Sequence, residues 1–235
     1  MIARDAENTI RTLLRGFPIV TITGPRQSGK TTLARMVCRD KPYVSLEDPD
    51  QRLSASDDPR SFLERFPDGG VLDEVQRCPE LFSYLQTRVD VDGRMGLFIL
   101  TGSQQFGLLS SISQSLAGRT AFIELLPFSF SELIHTGRLP GRADSLLYTG
   151  CYPPLYDRDI SPRAWFGAYV NAYIERDVRQ VLKIQELETF QRFVRLCAGR
   201  TGQLLNLSSL AVECGITHNT AKAWLSLLEA SYIIH

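Results

Sequence analysis

Gly24-Pro25-Arg26-Gln27-Ser28-Gly29-Lys30-Thr31 fits the spacing G-x-x-x-x-G-K-[ST], between a short apolar, β-branched run (residues 18–23) and a stretch of helical pattern (residues 30–38). The string has meaning only in that strand–loop–helix context. Glycines let backbone N–H groups curl around an anion, and a helix opening at Lys30 aims the positive end of its dipole at it. The pattern predicts a nucleotide cradle made of Gly24, Pro25, Arg26, Gln27, Ser28, Gly29, Lys30, Thr31 and Thr32. Lys30 reaches the β- and γ-phosphates, and the Thr31 hydroxyl is offered to Mg²⁺.

Four more short apolar runs follow, at residues 43–46, 70–72, 97–100 and 121–125, and the first three gaps between strands are long enough for crossover helices. Buried strands alternating with helices predict a parallel α/β sheet of the P-loop type, covered on both faces. Ahead of it, Ile2, Ala6, Ile10 and Leu13 or Leu14 fall at helical spacing, predicting an amphipathic helix from residue 2 that Gly16 ends. After Pro127 the pattern turns helical, at residues 128–136, 164–182 and 187–198, with Pro- and Gly-rich joints at 139–141 and 152–162. Neither an internal repeat nor a low-complexity segment is present.

Gly70-Val71-Leu72-Asp73-Glu74 places an acid at the tip of a buried strand beside the phosphate loop. Asp73 is the candidate for the magnesium shell, and Glu74 for polarising an attacking water, which favours hydrolysis over transfer to a bound acceptor. Leu100-Thr101-Gly102-Ser103 puts two hydroxyls at the end of the fourth strand, and Ser103 is preferred over Thr101 as a sensor of the γ-phosphate. Arg119, just before the fifth strand, can serve as a finger to a neighbouring subunit or be a solvated surface arginine.

Lys plus Arg equals Asp plus Glu, 26 each, so no chain-wide basic field gathers nucleic acid. Cys38, Cys78, Cys151, Cys197 and Cys214 are scattered without a C-x-x-C pair, which disfavours zinc or redox chemistry and fits a reducing compartment. Residues 1–15 lack the apolar core of a signal peptide and no run is long enough to span a bilayer, so a cytoplasmic protein without membrane attachment is expected.

The motifs 23–32 (TGPRQSGKTT), 46–49 (LEDP), 72–76 (LDEVQ), 100–104 (LTGSQ), 116–119 (LAGR) and 127–133 (PFSFSEL), taken in order, resemble a bacterial and archaeal family of AAA+-like ATPases. The resemblance covers nearly the whole chain. It implies an ATPase core at 1–128, a helical lid at 129–184 and a winged-helix segment at 185–235 preceding a domain of unknown function. It also implies ATP rather than GTP, a Walker A loop at Gly24–Thr31, Walker B acids at Asp73 and Glu74, a sensor at Ser103 and a finger-like Arg119. Gly150-Cys151-Tyr152-Pro153 resembles the family's glycine–proline element of the lid, with Cys151 where glycine is usual. Residues 173–180 (YIERDVRQ) also match, without an evident chemical role.

Residues 207–214, the Gly215-Ile216 turn and Thr217 before 218–229 predict helix–turn–helix. Thr217, His218, Asn219 and Lys222 are placed to enter a groove, yet Glu213 and Glu229 dilute the positive charge that phosphate contacts need, so docking or a structural role is favoured over DNA. Residues 231–235 read as the first strand of a wing with no partner, which suggests a shortened form of a longer protein. Three readings remain: an ATP hydrolase that switches core, lid and winged helix, assembling as a homo-oligomer or with an unidentified protein; a slow-turnover ATP-holding signalling module; and a DNA-associated regulator. A small-molecule kinase is least favoured.

Overall fold

The computed structural model of the chain describes residues 2–102, 115–173 and 187–234. Two compact units result, Met1–Arg158 and Asp159–His235.

The first unit runs α1 (Ala6–Gly16), β1 (Ile19–Thr23), α2 (Lys30–Val37), β2 (Tyr43–Ser45), α3 (Pro49–Asp57), α4 (Pro59–Glu64), β3 (Gly70–Asp73), a 3₁₀ turn (Val75–Arg77), α5 (Leu81–Asp92), β4 (Phe98–Thr101), β5 (Thr120–Glu124), α6 (Phe130–His135), α7 (Ala143–Thr149) and α8 (Pro154–Asp157). The five strands form one parallel sheet in the order β2-β3-β4-β1-β5. This is the expected P-loop α/β architecture. In this order β4 lies between β1 and β3.

Strand side chains alternate between faces, so the sequence of each strand divides its apolar residues between two cores. Val20, Ile22, Val71 and Ile99 join Ile10 of α1 and Leu33, Ala34 and Val37 of α2. Ile19, Leu72, Phe98 and Leu100 join Ala55, Phe62, Leu63, Phe82, Leu85 and Val89 from α3, α4 and α5. β1, β3 and β4 are buried throughout, whereas β2 and β5, at the edges, are partly exposed. Asp48 and Asp58 cap α3 and α4, each followed by proline at the first helical position, where its missing N–H is harmless.

The first helix begins at Ala6 rather than residue 2. Ile2 leaves the helical face to pack with Phe128 and Leu133, so residues 2–4 form an irregular arm. The expected joint at 152–162 contains α8, and α7 was not anticipated. Their brevity gives little periodicity to read.

In the second unit, α9 (Pro162–Tyr173), α10 (Leu187–Ala198), α11 (Leu207–Cys214) and α12 (His218–Ala230) are described, and the expected helix over 174–182 lies outside the described residues. Trp224 meets Phe190 and Phe193 edge-on, with centroids 5.2 and 5.3 Å apart, at the centre of a core that includes Leu210, Ala221 and Leu228. Asn206 caps α11, Gly215 ends it in the left-handed region, and Thr217 caps α12, as helix–turn–helix requires. Residues 231–234 do not form the expected wing strand. The Ser231, Tyr232 and Ile233 amides instead donate to the Leu227, Glu229 and Leu228 carbonyls. Among the described residues no strand lies beside this segment, and its backbone donors are satisfied on the helix it leaves.

Gly69 enters β3 with φ +82°, and a Cβ there would lie 1.8 Å from the Leu97 carbonyl oxygen. Gly69→Ala is expected to lower unfolding free energy by at least about 2 kcal/mol in urea titrations. A loss below about 0.5 kcal/mol would mean that this contact relaxes without consequence.

Candidate functional site

β1 delivers the chain to a loop built on left-handed backbone: Gly24, Gln27 and Gly29 have φ of 136°, 60° and 96°. Gly24 lies so close to β5's end that a Cβ would sit 2.2 Å from the Leu125 carbonyl oxygen, so this position requires glycine. The loop leads directly into α2, whose N-cap is Gly29. Lys30 is buried, and its Nζ donates to the carbonyls of Gly24 at 2.9 Å and Pro25 at 2.7 Å. Burial pushes the Lys30 ammonium down to about 8, opposed by the carboxylates of Glu74 and Asp73 and assisted by Arg26. The Ser28 hydroxyl is fully buried with no hydrogen-bond partner, an orphaned polar atom inside the loop. Gln27 and Thr32 are exposed.

At the same edge of the sheet, Asp73 is buried at the tip of β3 and gathers hydroxyl donors from three elements. Thr31 of α2 donates at 2.9 Å to Oδ2 and 3.1 Å to Oδ1, Tyr43 of β2 at 2.9 Å to Oδ2, and Thr101 of β4 to Oδ1. Because β4 intervenes between β1 and β3, the Thr101 hydroxyl lies where the P-loop helix and the acid meet. Sequence reasoning preferred Ser103, which lies outside the described residues, and assigned Tyr43 no role. Parallel pairing sets Ser45 against Asp73, two residues beyond Tyr43 on β2, and the phenol reaches along the strand to the carboxylate. The Tyr43 hydroxyl is pushed up to about 12 by burial, then by the Asp73 charge and the hydrogen bond it donates there. The Arg35 guanidinium lies 4.8 Å from the Tyr43 ring centroid.

Glu74 follows with left-handed backbone, φ 56°, at the start of the 3₁₀ turn, and Gln76 Nε2 donates to its Oε2. Arg119 is not brought to this chain's own loop. Its carbonyl accepts from Ile19 N at the opposite edge of the sheet, and its guanidinium pairs with Asp90 of α5 at 2.6 and 2.8 Å.

The donor set suits the ligands expected of it. Hydroxyl and carboxylate oxygens are the hard donors that Mg²⁺ prefers, and Mg²⁺ needs only one or two protein ligands when phosphates supply others. Thr31 and Asp73, already in contact, are the candidate ligands; among the described residues there is no group of three or more His, Cys, Asp or Glu side chains that could hold a metal. All five cysteines are free thiols. No helix among the described residues is long and apolar enough to cross a membrane.

Residues 16–134 match the family model described as an AAA domain. The chain belongs to the AAA domain family. Residues 142–235 match a domain of unknown function, so the AAA match covers the sheet and the phosphate loop while the second model takes in the C-terminal helices. The AAA chain is 31% identical, over 98% of its length, to uncharacterized proteins of Mycobacterium tuberculosis and Mycobacterium bovis, and spans 52% of each. The chain thus covers about half the length of these curated relatives. Its fold is similar to that of the Walker-type ATPase PABY2304 of Pyrococcus abyssi, with a TM-score of 0.61, 19% identity, and 98% of this chain and 90% of that one covered.

In the second unit Thr217, His218, Asn219 and Lys222 are exposed, while Arg200 donates to Glu213. That ion pair offsets the charge of one arginine in this unit.

Thr101→Val keeps shape and deletes the hydroxyl, leaving a buried carboxylate short of one donor. It is expected to lower stability by about 1.5–3 kcal/mol in denaturant titrations, against about 1 kcal/mol for Tyr43→Phe, whose ring is partly exposed. The reverse order would show that Tyr43 is the principal donor.

Proposed function

We propose that this AAA chain binds ATP with Mg²⁺ and hydrolyses it. The observation that carries the reading is the convergence of Thr31 and Thr101 on Asp73, one residue before Glu74, beside a loop whose Lys30 is turned in on the Gly24 and Pro25 carbonyls. Backbone amides of Gly24–Thr31 and the α2 dipole hold the phosphates, and the Ser28 hydroxyl gains a phosphate oxygen as acceptor. Lys30 exchanges its two loop carbonyls for β- and γ-phosphate oxygens. Thr31 and Asp73 hold Mg²⁺, which when bound neutralises charge developing on the phosphates. Glu74 orients the attacking water and takes its proton, with Ser103 sensing the γ-phosphate. Arg119 acts only across an assembly, as a finger from a second copy of the chain, after releasing Asp90. Turnover then alters the relation between the ATPase core and the C-terminal helices, and so drives a switch.

Phosphate release from ATP and Mg²⁺ tests the proposal. Lys30→Ala is expected to abolish nucleotide binding, and Glu74→Gln to retain binding while turnover falls by about 10²-fold or more. Unchanged turnover in both variants would show the site to be misread. A rise in turnover per molecule with protein concentration, lost in Arg119→Ala, is the signature of the finger.

The depressed Lys30 value gives the pH dependence a sign. The ammonium is charged below about 8 and neutral above it, and phosphate binding favours the charged form. Nucleotide affinity is therefore expected to be flat from about pH 6 to 7.5 and to weaken by about tenfold by pH 9. Titration with a fluorescent ATP analogue measures this, and flat affinity through pH 9 would mean that Lys30 stays charged there or makes no phosphate contact.

A second reading, a slow-turnover module that holds ATP, is favoured by one contact. Gln76 donates to Glu74 Oε2, one of the two carboxylate oxygens through which an attacking water could be held. Under that reading Gln76→Ala speeds turnover several-fold, whereas an unchanged or lower rate removes the support for it.

A further inference from the structure

A loop that turns its amides inward to phosphates must turn the matching carbonyls outward, where each needs a donor of its own. The Gly24 and Pro25 carbonyls face into the loop and accept from Lys30. The Ser28 carbonyl is served from outside it: Arg4 Nη1 donates to it at 2.7 Å. Arg4 is itself held tightly. Its Nε donates to Glu132 Oε1 at 2.9 Å, its Nη2 to the Leu126 carbonyl at 2.7 Å, and its guanidinium lies 5.0 Å from the Phe128 ring centroid. Both partners of the ion pair are buried, with side chains 8% and 4% exposed. Glu132 is fixed in turn, accepting from the Asp5 amide at 2.8 Å and closing the capping box of α6 with Ser129.

We infer that Arg4 is a positioning residue for the phosphate loop, locking the peptide between Ser28 and Gly29 with its carbonyl outward and its N–H toward the nucleotide phosphates. The peptide unit is planar and trans, so fixing the carbonyl fixes the N–H on the opposite side. Without the tether this plane turns easily, because Gly29 has the permissive backbone that its φ of 96° uses. An arm at the start of the chain thereby sets the fraction of loops competent to bind. This inference rests on the nucleotide-site reading above.

A loop that spends part of its time flipped binds more weakly in proportion to the competent fraction, while saturating nucleotide restores the competent form. The tether therefore acts on KM and Kd together and leaves kcat alone. A purely structural role would instead reduce the amount of active protein, lowering apparent kcat with KM unchanged. Arg4→Lys keeps the charge beside Glu132, but one ammonium cannot replace the three-way fork to Glu132, Leu126 and Ser28. Arg4→Met/Glu132→Gln removes both buried charges together, avoiding the unpaired carboxylate that Arg4→Met alone would leave, and glutamine still serves a capping box.

The experiment measures Kd for a fluorescent ATP analogue and steady-state phosphate release from Mg-ATP, using the full chain, in wild type, both Arg4 variants and Lys30→Ala. The expected result is a rise in Kd and KM of at least about fivefold in both Arg4 variants with kcat within about twofold of wild type. Unchanged Kd and KM in a folded Arg4 variant, or a fall in kcat alone, overturns the inference. If wild type and Lys30→Ala bind the analogue equally poorly, the nucleotide-site reading itself has failed. If they differ and the Arg4 variants match wild type, only the role of Arg4 has.

Discussion

Asp73 is a carboxylate at the buried tip of a central strand, and a charge in that position persists only if it is given donors. The donors come from Thr31 at the head of α2, Tyr43 on the edge strand β2 and Thr101 at the end of β4. Satisfying one acid thus fixes the ends of three separate elements against the strand that carries it. The phosphate loop is held to the middle of the sheet although its own strand, β1, is one place removed from β3.

The loop carries the complementary demand. Its carbonyls are met by cations of different origin: Gly24 and Pro25 by Lys30 from inside the motif, Ser28 by Arg4 from the arm preceding α1. Arg4 also joins the arm to Leu126 and Glu132, so the segment leaving β5 and the capping box of α6 share a guanidinium with the loop. Burying such an ion pair is costly unless its hydrogen-bonding capacity is filled, and here the fork is engaged by a carboxylate and three carbonyls.

The second unit is organised by packing and caps. Three aromatic rings centred on Trp224 give α10 and α12 a common core, and Asn206, Gly215 and Thr217 set where the helices of the helix–turn–helix start and stop. On its surface Arg200 pairs with Glu213 of α11.

Local chemistry was legible in the sequence because it is local. The phosphate loop needs glycines at fixed offsets, strands of a covered parallel sheet must be continuously apolar, and caps announce helix starts, so the five strands, α2 and the helix–turn–helix could be placed from residue order. What the sequence could not display were contacts made by folding across long separations. Thr101 and Ser103 are equivalent hydroxyls on paper, and only the strand order brings Thr101 onto Asp73. Tyr43 looked like one more residue of an apolar run, and Arg4 like the polar face of an amphipathic helix, until pairing and burial gave each a partner 30 and 24 residues away. The wing strand failed for the converse reason: its pattern was suitable, but a strand is defined by a neighbour, and residues 231–234 closed on α12 instead. Residue type and spacing determined the chemistry this chain can perform, while tertiary structure decided which side chains hold that chemistry in place, because hydrogen bonds to a buried charge depend on geometry that spacing does not encode.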